Sequence, residues 1–238
     1  MKKVTTVLFD LDGTLIRMDQ DRFVRNYFTS IVRKFKELGY DAKAMHVTLE
    51  DAVVATLKND GSCTNEERFW STFAEKFPGL REEVRDIIDG YYKTEFIGDI
   101  ADTCERYPRV GEVLDTVKRL GLRAVLATNP LFPSIATEKR MELGGLSFDD
   151  FEYVTTYENS SFCKPNPNYF TELLGKLKLS PSECVMIGND TRDDFSVLPL
   201  GIPIFILTDC LINRDNVDLS RYPHGSFDEL ISYLNGLS

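Results

Sequence analysis

Residues 4–16 read VTTVLFDLDGTLI, an apolar run that meets two carboxylates before the apolar pattern resumes. Val7, Leu8 and Phe9 suit a buried strand, and Leu15 and Ile16 return to the core after a Gly-Thr turn. Unpaired charge against a core is costly or forces a pKa shift, so Asp10 and Asp12 need compensation from elsewhere. Successive residues of an extended chain alternate sides, which sends Asp10 and Asp12 the same way from the strand's end. Gly13 permits the sharp turn behind them. The pair is therefore either a simple turn or two acids with a shared task. An EF-hand loop is ruled out, because the glycine falls at the fourth position instead of the sixth and no acidic series follows.

Four more short apolar runs follow, at residues 122–127, 151–155, 184–187 and 202–207. With 4–9 they lack strict alternation, as strands of a parallel sheet covered on both faces do. Helical patterns alternate with them: GEVLDTVKRLG, just ahead of 122–127, ends at a glycine suited to a helix C-cap, and PNYFTELLGKLKL, ahead of 184–187, opens with a first-turn proline. Strands alternating with helices predict an α/β, Rossmann-like, doubly wound parallel sheet.

More than a hundred residues separate the first two strands, far more than a strand–helix connection needs. Phe23, Tyr27, Ile31 and Phe35 recur at i, i+4 and lead to Leu38, one face of a helix. TNEERFWSTFAEKF starts with Thr64 and Glu67 in capping-box spacing and presents Phe69, Phe73 and Phe77. Val84, Ile87, Ile88 and Tyr91 form another stripe. Residues 17–107 thus read as an all-helical insertion whose aromatic stripes form a bundle core, and 1–16 with 108–238 as the α/β domain.

Composition narrows the function. The 238 residues are 42% hydrophobic and 28% charged, as in soluble globular proteins. A net charge of −10 lacks the basic footprint of a nucleic-acid binder. The longest apolar runs, such as IPIFIL, are strand-sized, and an acidic residue arrives too early for a signal-peptide core, so no membrane association and a cytoplasmic location are expected. Cysteines 63, 104, 163, 184 and 210 show no CxxC pairing and read as reduced thiols. His46 and His224 lack partners at metal-ligand spacing.

Three stretches give Asp10 and Asp12 company. The second core strand ends in LATNP, leaving Thr128 and Asn129 at its carboxyl end. The fourth ends in MIGNDTRDD, with Asn189, Asp190, Asp193 and Asp194. Between them CKPNP carries Lys164, kept out of the next helix by the following proline. Open α/β sheets bind ligands beyond the carboxyl ends of their strands, so an acid pair, a hydroxyl, a lysine and an acid cluster are expected to converge there.

In these motifs the chain resembles the haloacid dehalogenase-like (HAD) hydrolase superfamily, whose signature runs D-x-D-G-T, a Ser or Thr closing strand two, a Lys, and an acidic G-D or G-N-D motif. DLDGTL, LATN, CKPNP and GNDTRDD match in order and span the α/β domain. The helical insertion resembles that superfamily's C1-type cap. The resemblance implies Asp10 as nucleophile, forming an aspartyl-phosphate, and Asp12 as general acid and then base. It implies Mg²⁺ held by Asp10, the Asp12 backbone carbonyl and Asp190. Thr128 would bind a phosphate oxygen, with Asn129 helping to position phosphate or substrate through its amides. Lys164 would neutralise charge on Asp10 and the phosphoryl group. Asp194 matches the second acid of the last motif, Asp193 is the alternative, and Asn189 supports them.

The dehalogenases lack the second acid, since halide leaves carbon without a proton; Asp12 therefore points to a phosphatase acting on a small phosphorylated metabolite. A sugar-phosphate mutase needs the same core residues, and a noncatalytic regulatory protein on this fold is the reading from another class. Arg17, Arg22 and the polar loop 59–64 are the expected cap contacts to substrate, with the cap closing over the site.

Overall fold

The computed structural model describes residues 3–237. In chain order its strands are β1 (Thr6–Phe9), β2 (Ile16–Met18), β3 (Cys104–Arg106), β4 (Arg123–Leu126), β5 (Tyr153–Val154), β6 (Cys184–Gly188), β7 (Ile204–Leu207) and β8 (His224–Gly225). Six form one sheet in the order β5-β4-β1-β6-β7-β8 with every pairing parallel, the expected α/β fold. β8 was not legible: it is a two-residue edge strand in which His224 is exposed, its Nδ1 2.8 Å from the Tyr222 carbonyl.

The sheet is buried on both faces, which is why its strands do not alternate with polar residues. Val7, Phe9, Val185, Ile187, Phe205 and Leu207 belong to one buried cluster, while Leu8, Met186, Ile204 and Ile206 join another on the opposite face. Helices α6 (Val110–Arg119), α7 (Ser134–Gly144) and α9 (Phe227–Asn235) contribute to the first cluster, and α8 (Asn168–Leu177) to the second. After β6 the chain forms a 3₁₀ segment, Asp194–Leu200, where Pro199 precludes a longer α-helix.

The insertion leaves and re-enters through the antiparallel ribbon of β2 and β3. Between them lie α1 (Gln20–Glu37), α2 (Ala42–Leu57), α3 (Asn65–Lys76), α4 (Arg81–Thr94) and α5 (Phe96–Ile100). The capping box at Thr64 and Glu67 is present, and Phe23, Ile31, Phe35, Phe73, Val84, Ile88 and Tyr91 are buried as their spacing predicts. The insertion does not close a core of its own. Its buried aromatics run in one cluster through α7 to the face of the sheet.

Level strand ends position the site. Phe9 is in register with Leu126 on one side and Ile187 on the other. The ladder continues one residue further through Asp10 N–H to Ile187 O (2.9 Å) and Ala127 N–H to Phe9 O (2.7 Å). Asp10 is thereby level with Ala127 and Gly188, in the middle of the sheet and one residue before Thr128 and Asn189 on the neighbouring strands.

Candidate active site

The turn behind β1 is built on one carbonyl. Leu11 O accepts N–H groups from Thr14 (3.2 Å), Leu15 (2.9 Å) and Ile16 (3.0 Å). Gly13 has φ +89°, and a Cβ there would lie 2.2 Å from Asn189 Nδ2, so the turn conformation and the close approach both require glycine. Thr14 Oγ1 donates to Asn189 Oδ1 at 2.9 Å, and Asn189 Nδ2 donates to Cys210 O at 2.7 Å. This chain of bonds ties the first motif to the last.

Lys164 joins two carboxylates. Its side chain is only 1% exposed, and Nζ donates to Asp10 Oδ1 at 2.9 Å and Asp194 Oδ1 at 2.7 Å. The Lys164–Pro165 peptide is cis. Burial disfavours the ammonium's charge, but Asp10 and Asp194 together outweigh it and raise its pKa well above the usual value. Burial pushes the Asp10 carboxyl up to about 7; Lys164 works against the rise, while Asp194 and Asp12 add to it. Once Asp10 is ionised, two carboxylates against one ammonium leave this buried trio one negative charge in excess.

Asp194 is the structural acid of the last motif: its Oδ2 accepts the backbone N–H groups of Asn189 (2.9 Å) and Asp190 (3.0 Å). Gly188 makes room for it, since a Cβ there would lie 2.1 Å from Asp194 Oδ2. Gly188→Ala is therefore expected to expel the carboxylate and cost about 2–4 kcal/mol in denaturant unfolding. An alanine variant of unchanged stability would contradict this packing. Asp193 is instead bound to Asn129, whose Nδ2 donates to Asp193 Oδ2 at 3.1 Å, and burial raises its pKa.

Asn129 also brackets Lys164, donating to its carbonyl (3.3 Å) and accepting its N–H (3.2 Å). Its side chain is thus committed to holding three loops together, which leaves its backbone for any contact with phosphate. Thr128 is buried, and its carbonyl accepts Thr155 Oγ1 at 2.7 Å and the Tyr169 hydroxyl at 3.0 Å.

Asp12 has a partner that the motifs do not announce. Arg140, 1% exposed on α7, forms an ion pair with Asp12 Oδ2 through Nη1, while Asp12 Oδ1 is buried without a hydrogen bond. The guanidinium also lies 4.7 Å above the Phe132 ring. In sequence Arg140 looks like one more surface cation beside Lys139. The signal was its periodicity, because Ala136, Thr137, Arg140, Met141 and Gly144 share the buried face of α7.

The expected cap contacts sit elsewhere. Arg17 pairs with Glu105 across the ribbon (3.6 Å), and Arg22 bonds the Asp102 carboxylate and carbonyl. In the loop at 59–64, buried Asn59 donates to Asn65 Oδ1 at 2.9 Å, and Asn65 donates to Pro130 O at 3.2 Å and Phe162 O at 3.3 Å. These bonds seat the insertion on the α/β domain. Gln20, Asp190, Arg192, Asp193, Lys164 and Arg214 line the open cleft above the strand ends.

Among the described residues, no group of three or more His, Cys, Asp and Glu side chains could hold a metal ion by itself. The donors that the resemblance implies are different: two carboxylates, Asp10 and Asp190, and the Asp12 carbonyl. Mg²⁺ suits such an all-oxygen set, since it keeps several waters and uses one or two carboxylates. The excess negative charge of the buried trio fits a cation. Asp12 O accepts Gln20 Nε2 at 3.2 Å and retains a second lone pair.

Four loops at the carboxyl ends of the parallel sheet thus bring a carboxylate pair, an ammonium and an acid cluster together on a Rossmann-like α/β fold. The haloacid dehalogenase-like hydrolase family matches residues 4–196, and the chain belongs to that family. It is 25% identical over 192 residues to pyrophosphatase PpaX of Bacillus velezensis, covering 81% of this chain and 77% of that one. The fold is shared with a HAD phosphatase from Thermococcus onnurineus (TM-score 0.57, 20% identity, 98% of this chain and 99% of that one). It is also shared with CbbY from Rhodobacter sphaeroides in complex with phosphate (TM-score 0.59, 17% identity, 95% and 96%). Among the described residues, no helix is long and apolar enough to cross a membrane.

Proposed function

We propose that the chain is a Mg²⁺-dependent phosphatase that hydrolyses a small phosphomonoester through an aspartyl-phosphate on Asp10. The observation that carries this reading is the Asp10–Lys164–Asp194 triad beside Asp12: a fixed carboxylate nucleophile with a second acid two residues on. Lys164 holds Asp10 in place and offsets negative charge as the phosphoryl group arrives. Thr128 donates its hydroxyl to a nonbridging phosphate oxygen. Asp12 gives a proton to the leaving oxygen and then takes one from the water that attacks the intermediate. Asp10, the Asp12 carbonyl and Asp190 would hold Mg²⁺, which when bound offsets phosphoryl charge. The insertion at 17–107 is the cap domain on a core of 1–16 and 108–238, and the enzyme works in the cytoplasm. Purified protein should release phosphate from a panel of phosphomonoesters with Mg²⁺ and stop on chelation. Full activity after chelation would overturn the metal assignment.

Arg140 orients Asp12 for proton transfer by holding Oδ2 and leaving Oδ1 without a protein hydrogen bond. Its loss should matter most where the leaving group needs a proton. Arg140→Met is expected to slow alkyl phosphate hydrolysis by about a hundredfold and nitrophenyl phosphate hydrolysis far less, with Arg140→Lys partly restoring the former. Equal loss on both substrates would reduce Arg140 to a packing role.

The raised pKa of Asp10 sets the pH dependence of metal binding. Below about 7 the metal-free carboxyl keeps its proton, and a cation must displace it. Mg²⁺ affinity should fall as pH drops below that value, with proton release on binding, measured by calorimetry in buffers of different ionisation enthalpy. A flat affinity from about pH 5.5 to about pH 8 would contradict it.

A further inference from the structure

The helical insertion and the α/β domain enclose a second space, a cavity of about 260 Å³ bounded by α1 to α4 and by the segment that follows Asn129. Protein interiors seldom leave voids much larger than a water molecule, and an engineered apolar cavity of roughly 150 Å³ already takes benzene. This one is wide enough for a substituted or fused ring. Its lining is apolar: Phe23, Val53, Phe69, Trp70, Ile88 and Phe132 among others.

The few polar atoms of the wall are already engaged. The hydroxyls of Tyr27 and Tyr92 bond each other at 2.8 Å, and Trp70 Nε1 donates to the Tyr157 hydroxyl at 3.4 Å. A sugar placed there would lose its hydration and find few free partners, whereas an apolar group would lose nothing.

Two observations connect the cavity to the cleft. Leu57, at the end of α2, lines both spaces: it faces the cavity and also the cleft that holds Lys164, Asp190 and Asp193. Phe132, in the cavity wall, lies four residues beyond Thr128 on the segment that leaves β4. Exposure agrees with access from outside. Val24 (49% exposed) and Leu57 (40%) are two of the five large apolar side chains that stand out to solvent among the described residues, and both rim this cavity.

We infer that the substrate is a phosphomonoester whose alcohol carries an aromatic or branched apolar group on a short tether, with the phosphate at Asp10 and the apolar group in this cavity past Leu57. The inference rests on the phosphatase reading for its chemistry and on the cavity alone for its binding. It replaces the loop at 59–64, which is spent on seating the insertion, as the source of specificity.

Primary alkyl phosphates of matched leaving group separate the cases. The kcat/KM for 2-(1-naphthyl)ethyl phosphate should exceed that for ethyl phosphate by at least about a hundredfold, and the ratio should fall at least about tenfold in Val53→Phe, which fills the cavity. Phosphate-free 2-(1-naphthyl)ethanol, followed by its fluorescence without Mg²⁺, should bind the wild type and not the variant. A ratio near one in the wild type, or failure of the alcohol to bind it, would overturn the inference, and neither measurement needs the variant to fold. Binding of the alcohol with no phosphate released from any ester would leave the cavity site standing and sink the phosphatase reading instead.

Discussion

Replacing Asp10 by Asn is expected to abolish phosphate release while leaving the fold intact. The amide oxygen can still accept from Lys164 Nζ, now 2.9 Å from Oδ1 of the native carboxylate, so the bracket between the loops survives. What is lost is a nucleophile able to bond phosphorus, and turnover should fall by about 10⁴-fold or more. Stability should hold or rise, because the substitution removes the excess negative charge that burial makes costly at this position. Phosphate release under saturating substrate and thermal unfolding of the same preparation check both halves. Wild-type turnover in the Asn variant would refute the nucleophile, and an unfolded variant would refute the electrostatic reading of the triad.

Lys164→Met should be more damaging to the protein than to any single step. Met matches the lysine stem in length, so the packing beside Tyr169 and Phe170 is largely kept, but Asp10 and Asp194 then face each other without their shared cation. Breaking a buried pair by removing one partner costs about 3–5 kcal/mol. Part of that cost is relieved when one carboxyl takes up a proton, so the variant should regain stability as pH falls. Denaturant unfolding at neutral and acidic pH measures this. Adding Asp10→Asn to Lys164→Met should recover stability without activity, since one of the two opposed charges is gone. A Met variant as stable as wild type at neutral pH would mean that Lys164 is not the counter-charge.

The legible part of the site consists of residues that a strand end presents in a fixed order. DLDGT, ATN and GND each follow an apolar run, and parallel register brings such ends level, so their convergence is implied by the sequence order itself. The hidden part depends on which face of a helix turns inward. Arg140 sits among ordinary helix formers, and only the burial of Ala136, Thr137, Met141 and Gly144 beside it marks its direction. The commitment of Asn129 to Lys164 and Asp193 depends on three loops meeting, which no local pattern encodes. The aromatic stripes were legible as buried faces, but not the space between them. Phe23, Phe69 and Ile88 follow helical spacing whether the bundle closes fully or leaves a cavity. β8 escaped because two residues, His224 and Gly225, carry no strand propensity of their own and are held by pairing with β7.

The shortest test of the covalent route is to catch the phosphoryl group on the protein. Wild-type enzyme with Mg²⁺ and a radiolabelled phosphomonoester it hydrolyses, quenched within one turnover and treated with borohydride, should convert the Asp10 acyl phosphate to homoserine. The expected result is that residue, found by peptide mass spectrometry at position 10 and absent without substrate. Rapid phosphate release with position 10 unmodified at every quench time would contradict a phosphoryl transfer through Asp10.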